Sequence, residues 1–229
     1  FAIEREARMA GYGINYLGLA GCNVVGYDAG PPVRDPLTFT LAAAKIGAGA
    51  PGVPDSVTFV YGSSNTLVGS LPLQSAAPAA TNIFGVVTGY GFSVGDILIA
   101  GEVPVAGLPI AKNCTVSMIT SMPVANSLNH DPGNYTAGGV TQVARYNKPG
   151  GMGVDYSVWD NVNSAGGRLF EMGSSLTVVR YSLDTVNNQL SASYLMEGTS
   201  FPIADGIVQF KAQYGIDNTA GTPTGLVNQ

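Results

Sequence analysis

From residue 57 onward the chain is cut into short runs of β-branched and aromatic residues, each closed by Gly, Pro or Asn, and this punctuation limits what it can fold into. Val57 to Tyr61, Phe84 to Thr88, Asp96 to Ala100, Cys114 to Thr120, Val140 to Tyr146, Val154 to Trp159 and Leu169 to Met172 read as strands. Leu176 to Leu183 and Gln189 to Met196 flank Asp184-Thr185-Val186-Asn187-Asn188, whose Asp and Asn favour a turn, so this stretch reads as an antiparallel hairpin. Val208, Phe210, Ala212, Tyr214 and Ile216 alternate with polar residues, and that period of two predicts a last strand with one face on a core. Leu71 to Thr81 and Asn126 to Gly139 read as exposed loops.

Ahead of the strands, residues 1–14 read as helix. Glu4 and Arg8 form an i, i+4 pair in the favoured order, while Phe1, Ile3, Ala7, Ala10 and Ile14 mark an apolar stripe suited to packing on a sheet. Gly11 and Gly13 weaken the helix where the stripe ends. The first turn carries no capping Ser, Thr, Asp or Asn, and the expectation is a helix that begins upstream of Phe1. Residues 15–54, rich in Gly and Pro, read as a long connection with one short helix near Leu41 to Ile46.

Composition removes several function classes. The formal charge is −5, and the ten basic residues are scattered without a run that could neutralise a row of phosphates, so nucleic acid is not an expected partner. No stretch reaches 18 uninterrupted apolar residues, since Lys45 and Pro51 break Leu37 to Val53, and Glu102, Pro104 and Pro109 break Ile97 to Ala111. A hydrophobic content of 45% argues against disorder, and 229 residues suffice for a sizeable core.

Signals for chemistry are sparse. The one histidine, His130, stands before Asp131 and Pro132 in a polar stretch, and without a G-x-S-x-G elbow it reads as a loop histidine rather than a triad member. Gly89-Tyr90-Gly91-Phe92 and Pro149-Gly150-Gly151-Met152-Gly153 lack the residues that complete a phosphate cradle and read as turns. Asp217-Asn218-Thr219-Ala220-Gly221 resembles the start of a calcium loop but offers one carboxylate and no bidentate Glu. Tyr12, Tyr16 and Tyr27 suggest either a contact patch or aromatic packing beneath a loop. Cys22 and Cys114 fit no metal-ligand spacing, so no catalytic residue, metal or cofactor is expected.

Four segments, in order along the chain, resemble PilW-like minor pilins of type IV pili. They are Glu4-Arg5-Glu6-Ala7-Arg8-Met9-Ala10-Gly11-Tyr12-Gly13, Asp55-Ser56-Val57-Thr58-Phe59-Val60-Tyr61-Gly62, Phe92-Ser93-Val94-Gly95-Asp96, and Asp205-Gly206-Ile207 with Gln213-Tyr214-Gly215-Ile216-Asp217. The resemblance implies an α+β, type IV pilin-like fold with an N-terminal α-helix packed on an antiparallel β-sheet and long loops. Residues 1–14 would be the end of the pilin helix, 15–54 the αβ-loop and 55–229 a β-rich head, one domain overall. It implies a non-enzymatic subunit that is anchored in the inner membrane, later displayed in the pilus, and joined to other minor pilins and the major pilin, often with a larger tip adhesin. The charges on Glu4, Arg5, Glu6 and Arg8 do not suit the membrane-spanning segment of that family, so the expected anchor would precede Phe1. Export in turn favours a Cys22–Cys114 disulfide over two free buried thiols. A type II secretion pseudopilin, a secreted β-rich domain that binds glycans or surfaces, and an enzyme built around His130 are the alternatives.

Overall fold

Gly11 and Gly13, at φ +85° and +84°, end the opening helix early. The structure, a computed structural model that describes residues 2–64, 66 and 69–215, gives α1 (Ala2–Met9) eight residues. A 3-10 turn at Leu17–Leu19 leads into β1 (Cys22–Asp28) and β2 (Arg34–Leu41), which pair antiparallel with Cys22 opposite Leu41. The strands β3 (Ala44–Gly47), β4 (Ser56–Gly62), β5 (Leu71–Pro72), β6 (Ile83–Gly85), β7 (Ile97–Val103) and β8 (Thr115–Met118) come next. After them lie β9 (Ser127–Asn129), β10 (Asn134–Ala137), β11 (Val140–Val143), β12 (Gly166–Glu171), β13 (Leu176–Asp184), β14 (Gln189–Tyr194) and β15 (Thr199–Asp205).

Two compact units result. One takes the residues up to 43 together with 59–178, and the other takes 44–58 together with 179 onward. Of the three breaks, two fall inside strands, β4 and β13, and the third lies between β2 and β3, so no change of composition marks them. The first unit holds a four-stranded sheet in the order β5-β12-β7-β8 and the ribbons β1-β2, β6-β9 and β10-β11. Leu98, Ala100 and Leu169 project from that sheet into a core with Leu73, Phe84, Ile119, Leu128 and Tyr156. The Tyr156 hydroxyl lies 2.9 Å from Asn113 O, 3.2 Å from Ala100 O and 3.1 Å from Thr115 Oγ1, so its one polar atom is satisfied inside that core.

The second unit carries β3, β14 and β15 together with the first part of β4 and the later part of β13. Register puts Tyr181, Ala192 and Phe201 side by side on one face. Exposure grows across that row, from 1% at Tyr181 and 2% at Ala192 to 54% at Phe201 on the edge strand.

Several expectations need correcting. The chain does not adopt the α+β, pilin-like arrangement of a helix packed on a sheet: strands take 42% of the residues and helix 5%. Nor does an apolar stripe hold α1. Ile3, Ala10 and Ile14 are half-buried and Ala7 is exposed, whereas the one buried residue of α1 is Glu6; Phe1 lies outside the described residues. Glu6 accepts from the Tyr61 hydroxyl and from Arg5 Nη2, and Gly11 N donates to Val60 O at 2.8 Å. Polar bonds to β4 and to its own helix neighbour therefore occupy the helix end that the pattern assigned to apolar packing. Burial, with the bond to Glu6 added, pushes the Tyr61 phenol up to about 12.

Residues 15–54 are not a plain connection. Leu37, Phe39 and Leu41, exposed by 5%, 6% and 0%, alternate with Thr38 and Thr40 and make β2 a half-buried strand, and no helix forms near Leu41 to Ile46. Val154 to Trp159 forms only an isolated bridge, Tyr156 with Ala77. The alternating segment from Val208 is not a strand among the described residues, and Ile216 lies outside them. Its backbone bonds instead to one side chain and one loop: Ala212 N donates to Asp55 Oδ2 at 2.9 Å, and Phe210 O accepts from Asp55 N at 2.8 Å. Alternation makes a strand only where a neighbouring edge is open to receive it.

Candidate functional site

Tyr16, Arg168 and Trp159 come together although they are far apart in sequence. Gly18 makes room for the first, since a Cβ there would come 2.6 Å from Tyr16 Cε1. The bare backbone of Gly167 lets the segment 157–159 run close to β12: a Cβ there would lie 2.7 Å from Ser157 O. Trp159 is fixed by its N–H donating to Leu73 O at 3.0 Å and by its indole donating to Asn161 Oδ1 at 3.0 Å. Arg168 then sets its guanidinium 4.4 Å from the Tyr16 ring centre and 4.5 Å from that of Trp159, while the two rings meet edge to face at 6.3 Å. Its Nε and Nη2 donate to Ser70 Oγ and Ser70 O at 2.9 and 2.8 Å. Burial lowers the Arg168 pKa, yet a guanidinium keeps its charge at any physiological pH.

Beside this cluster lies an open groove of about 530 Å³, lined by Tyr16, Gly18, the stretch 103–110, Asn163 and Ser164. Its wall is apolar, with Val105 and Leu108 exposed by 45% and 62%, and Leu17 and Val162 nearby in the chain exposed by 90% and 91%. Ser164 holds a left-handed φ of 49°, an uncommon backbone state for a residue with a side chain.

A second place is small. A cavity of about 40 Å³ is bordered by Val25, Tyr27, Ser117, His130, Asn147 and Met152 among others. Asn147 is saturated, accepting from Met118 N and donating to Met118 O and Asp131 O. His130 Nε2 and Ser117 Oγ are buried without a hydrogen-bond partner. Burial pushes the His130 imidazole down to about 4 against a weaker opposing bond to its own backbone, so the ring is neutral at pH 7 and stacks on Phe84 at 4.5 Å. The volume admits about three water molecules, which suits solvating two orphan atoms and not binding a substrate.

Two further carboxylates, Asp28 and Glu171, are buried in the same unit. Asp28 is held by Arg34 and Arg145 and accepts from Gly30 N at 2.8 Å. Glu171 accepts from Gly173 N and leaves its Oε2 without a partner.

No family model matches the chain, and neither a curated protein nor a solved structure matches it.

The sequence-singled residues fall in separate places. Cys22 and Cys114, 1% and 0% exposed, are joined by a disulfide beside the backbone bonds Val25 N to Cys114 O and Cys114 N to Asn23 O, and a Cβ on Gly101 would come 2.6 Å from Cys114 Sγ. His130 is buried rather than in an open loop. Tyr12 is 43% exposed, Tyr16 enters the arginine cluster and Tyr27 borders the small cavity, so the three do not form one patch. Asp217 lies outside the described residues. Among those residues no group of three His, Cys, Asp or Glu side chains could hold a metal ion, and no helix is long and apolar enough to cross a membrane. Arg168 and Trp159 escaped the sequence reading. The one usable signal was that Trp159 is the only tryptophan in a chain with few charges.

Proposed function

We propose that this chain is the extracytoplasmic part of a PilW-like minor subunit of type IV pili, which acts by assembly and not by turnover. The ordered resemblance of four segments carries the reading. In one of them the expected strand forms, Ser56–Gly62 as β4, while Phe92 to Asp96 is a turn that precedes β7. The Cys22–Cys114 disulfide supports an oxidising compartment such as the periplasm or cell surface. The reading requires partners among other minor pilins and the major pilin, an anchor in the inner membrane before assembly, and a place in the complex that primes and caps the filament.

The decisive experiment deletes the gene in the source cell and follows surface filaments, then restores it with an epitope-tagged copy. Loss of filaments on deletion, with the tag recovered in sheared pili, is expected. Normal filaments without the gene would end the proposal, and a secretion defect with intact pili would move the chain to a type II pseudopilus. A second reading, a secreted domain that binds other molecules, is favoured by the groove beside Tyr16 and would be preferred if the tagged chain appeared free in the medium.

A further inference from the structure

We propose that Asp96 and Glu171, at the end of the four-stranded sheet where β7 begins and β12 stops, bind one calcium ion between their carboxylates. The inference is independent of the pilus reading, because it uses only this sheet end and the turn that lies against it.

Placement gives the first argument. In the pairing of β12 with β7, Glu171 stands opposite Leu98. Asp96 closes the turn before β7 and already bonds as a ladder residue, its O accepting from Ile119 N at 2.8 Å. It stands two positions before Leu98, so alternation turns both carboxylates to one face of the sheet at neighbouring rungs. The Asp96 charge acts on Glu171 accordingly. Ser63 and Ser64 lie against this corner: a Cβ on Gly173 would come 2.5 Å from Ser64 N, and the Ser64 hydroxyl bonds to Glu171.

Charge supplies the second argument. The other buried carboxylates each have a cation, Glu6 from Arg5, Asp28 from Arg34 and Arg145, and Asp55 from Lys211. Glu171, 2% exposed, has none among the described residues, and the charge beside it is the like charge of Asp96. Its Oε1 accepts from Gly173 N, while its Oε2 is buried without any hydrogen-bond partner. A proton would remove the charge but leave Oε2 a donor with nothing to accept from it. A cation between the two carboxylates removes the repulsion and occupies the orphan oxygen together.

The donors select the ion. Two carboxylates and a hydroxyl are hard oxygen ligands, which suit calcium and not a metal that prefers nitrogen or sulfur. Calcium tolerates an uneven ligand set completed by water, which can enter past the half-buried Asp96, whereas magnesium demands a regular octahedron and dehydrates reluctantly. With only two carboxylates the affinity should fall at about 0.1–1 mM, the weak end of protein calcium sites.

The experiment strips the whole chain with EDTA, titrates it with CaCl2 by calorimetry at neutral pH, and follows its melting temperature in CaCl2, MgCl2 or NaCl. One calcium per chain is expected, with a melting temperature that rises and saturates, and with magnesium at least about tenfold weaker. Glu171→Gln and Asp96→Asn keep the shapes of the side chains, and each should weaken calcium about tenfold or more, with cooperative melts in EDTA showing that both variants fold. Glu4→Gln, which neutralises a surface carboxylate of α1, should bind calcium as the parent does. No binding by about 10 mM CaCl2, or parental binding by both site variants, would overturn the proposal. A parent chain indifferent to calcium whose Glu171→Gln variant melts higher in EDTA would also overturn it, and would leave the pair as carboxyls that hold a proton.

Discussion

Asp28 and Glu171 are both carboxylates in the same unit, exposed by 0% and 2%, yet their acidities move in opposite directions. At Asp28 burial alone would raise the pKa, but bonds from Arg145, Gly30 and Arg34 outweigh it and bring the group down to about 2. At Glu171 burial also raises the pKa, and the nearby charge of Asp96 adds to that against weaker bonds from Ser64 and Gly173. Burial thus sets the stakes, and the partners set the sign. The first is an anion fixed by two cations, which locks β1 to the segment around Arg145. The second is a carboxyl that favours its proton.

The comparison breaks most severely at Asp28. Asp28→Asn leaves two guanidiniums facing a neutral group and should destabilise the chain by about 3–5 kcal/mol in chemical denaturation. Its pH dependence has a definite sign. The folded pKa lies below the ordinary carboxylate value of 3.8, so the stabilisation is full above that value and is lost as pH falls through about 2. A variant with wild-type stability would show that the double pair contributes nothing net.

His130 tests whether the rule for carboxylates extends to a base. Its folded pKa of about 4 lies below the ordinary 6.5, so between these values the unfolded chain binds the extra proton. Stability should fall as pH drops from 6.5 to 4, by on the order of 3 kcal/mol. His130→Leu should remove that slope while leaving the acid limb due to Asp28 in place. An unchanged slope in the variant would place the acid sensitivity elsewhere.

Little of this was legible in the sequence, and the reason is distance. The hairpin β13–β14 was legible because strand, turn and strand are contiguous, β4 because Val57 to Tyr61 is an unbroken run of β-branched and aromatic residues, and β7 because it opens on the apolar run Ile97-Leu98-Ile99-Ala100. The Asp28 clamp draws on Arg145, 117 positions away, and the guanidinium of Arg168 finds Ser70 at a separation of 98. No local pattern encodes such meetings. The terminal segment failed for the opposite reason. Its alternation was clear, but Asp55 had taken its backbone bonds. On α1 the apolar stripe was present while the tertiary partner was Tyr61, which selected Glu6 instead.

Glu171 gives a smaller and reversed effect. Its raised folded pKa means that the protonated form is the one the fold favours, so its contribution is present at pH values below 4.5 and is lost as pH rises through the folded pKa. Glu171→Gln keeps the shape of the protonated carboxyl and can still accept from Gly173 N. The variant should match the parent at pH 4 and exceed it by about 1–2 kcal/mol at pH 8, the cost of a buried group left unsatisfied. Thermal melts at the two pH values read this directly, and a destabilised variant at pH 8 would mean that Glu171 is held there as an anion.

The smallest effect belongs to Glu4 and Arg8, and it isolates what burial contributes. Their side chains meet at 2.7 Å on α1, as close as many buried pairs, but they are 57% and 78% exposed. Water screens the attraction and both long side chains lose freedom to make it, so Glu4→Gln should change stability by no more than about 0.5 kcal/mol, and by less still in 1 M salt. Asp28 and Glu4 each accept from an arginine at ordinary ion-pair distance, so the expected gap of several kcal/mol between their variants measures the surroundings and not the bond. If Glu4→Gln cost as much as Asp28→Asn, α1 would have to be held by this surface pair instead of by Glu6 and the Tyr61 hydroxyl. A Tyr61→Phe variant, which removes only that hydroxyl, would then leave the helix undisturbed.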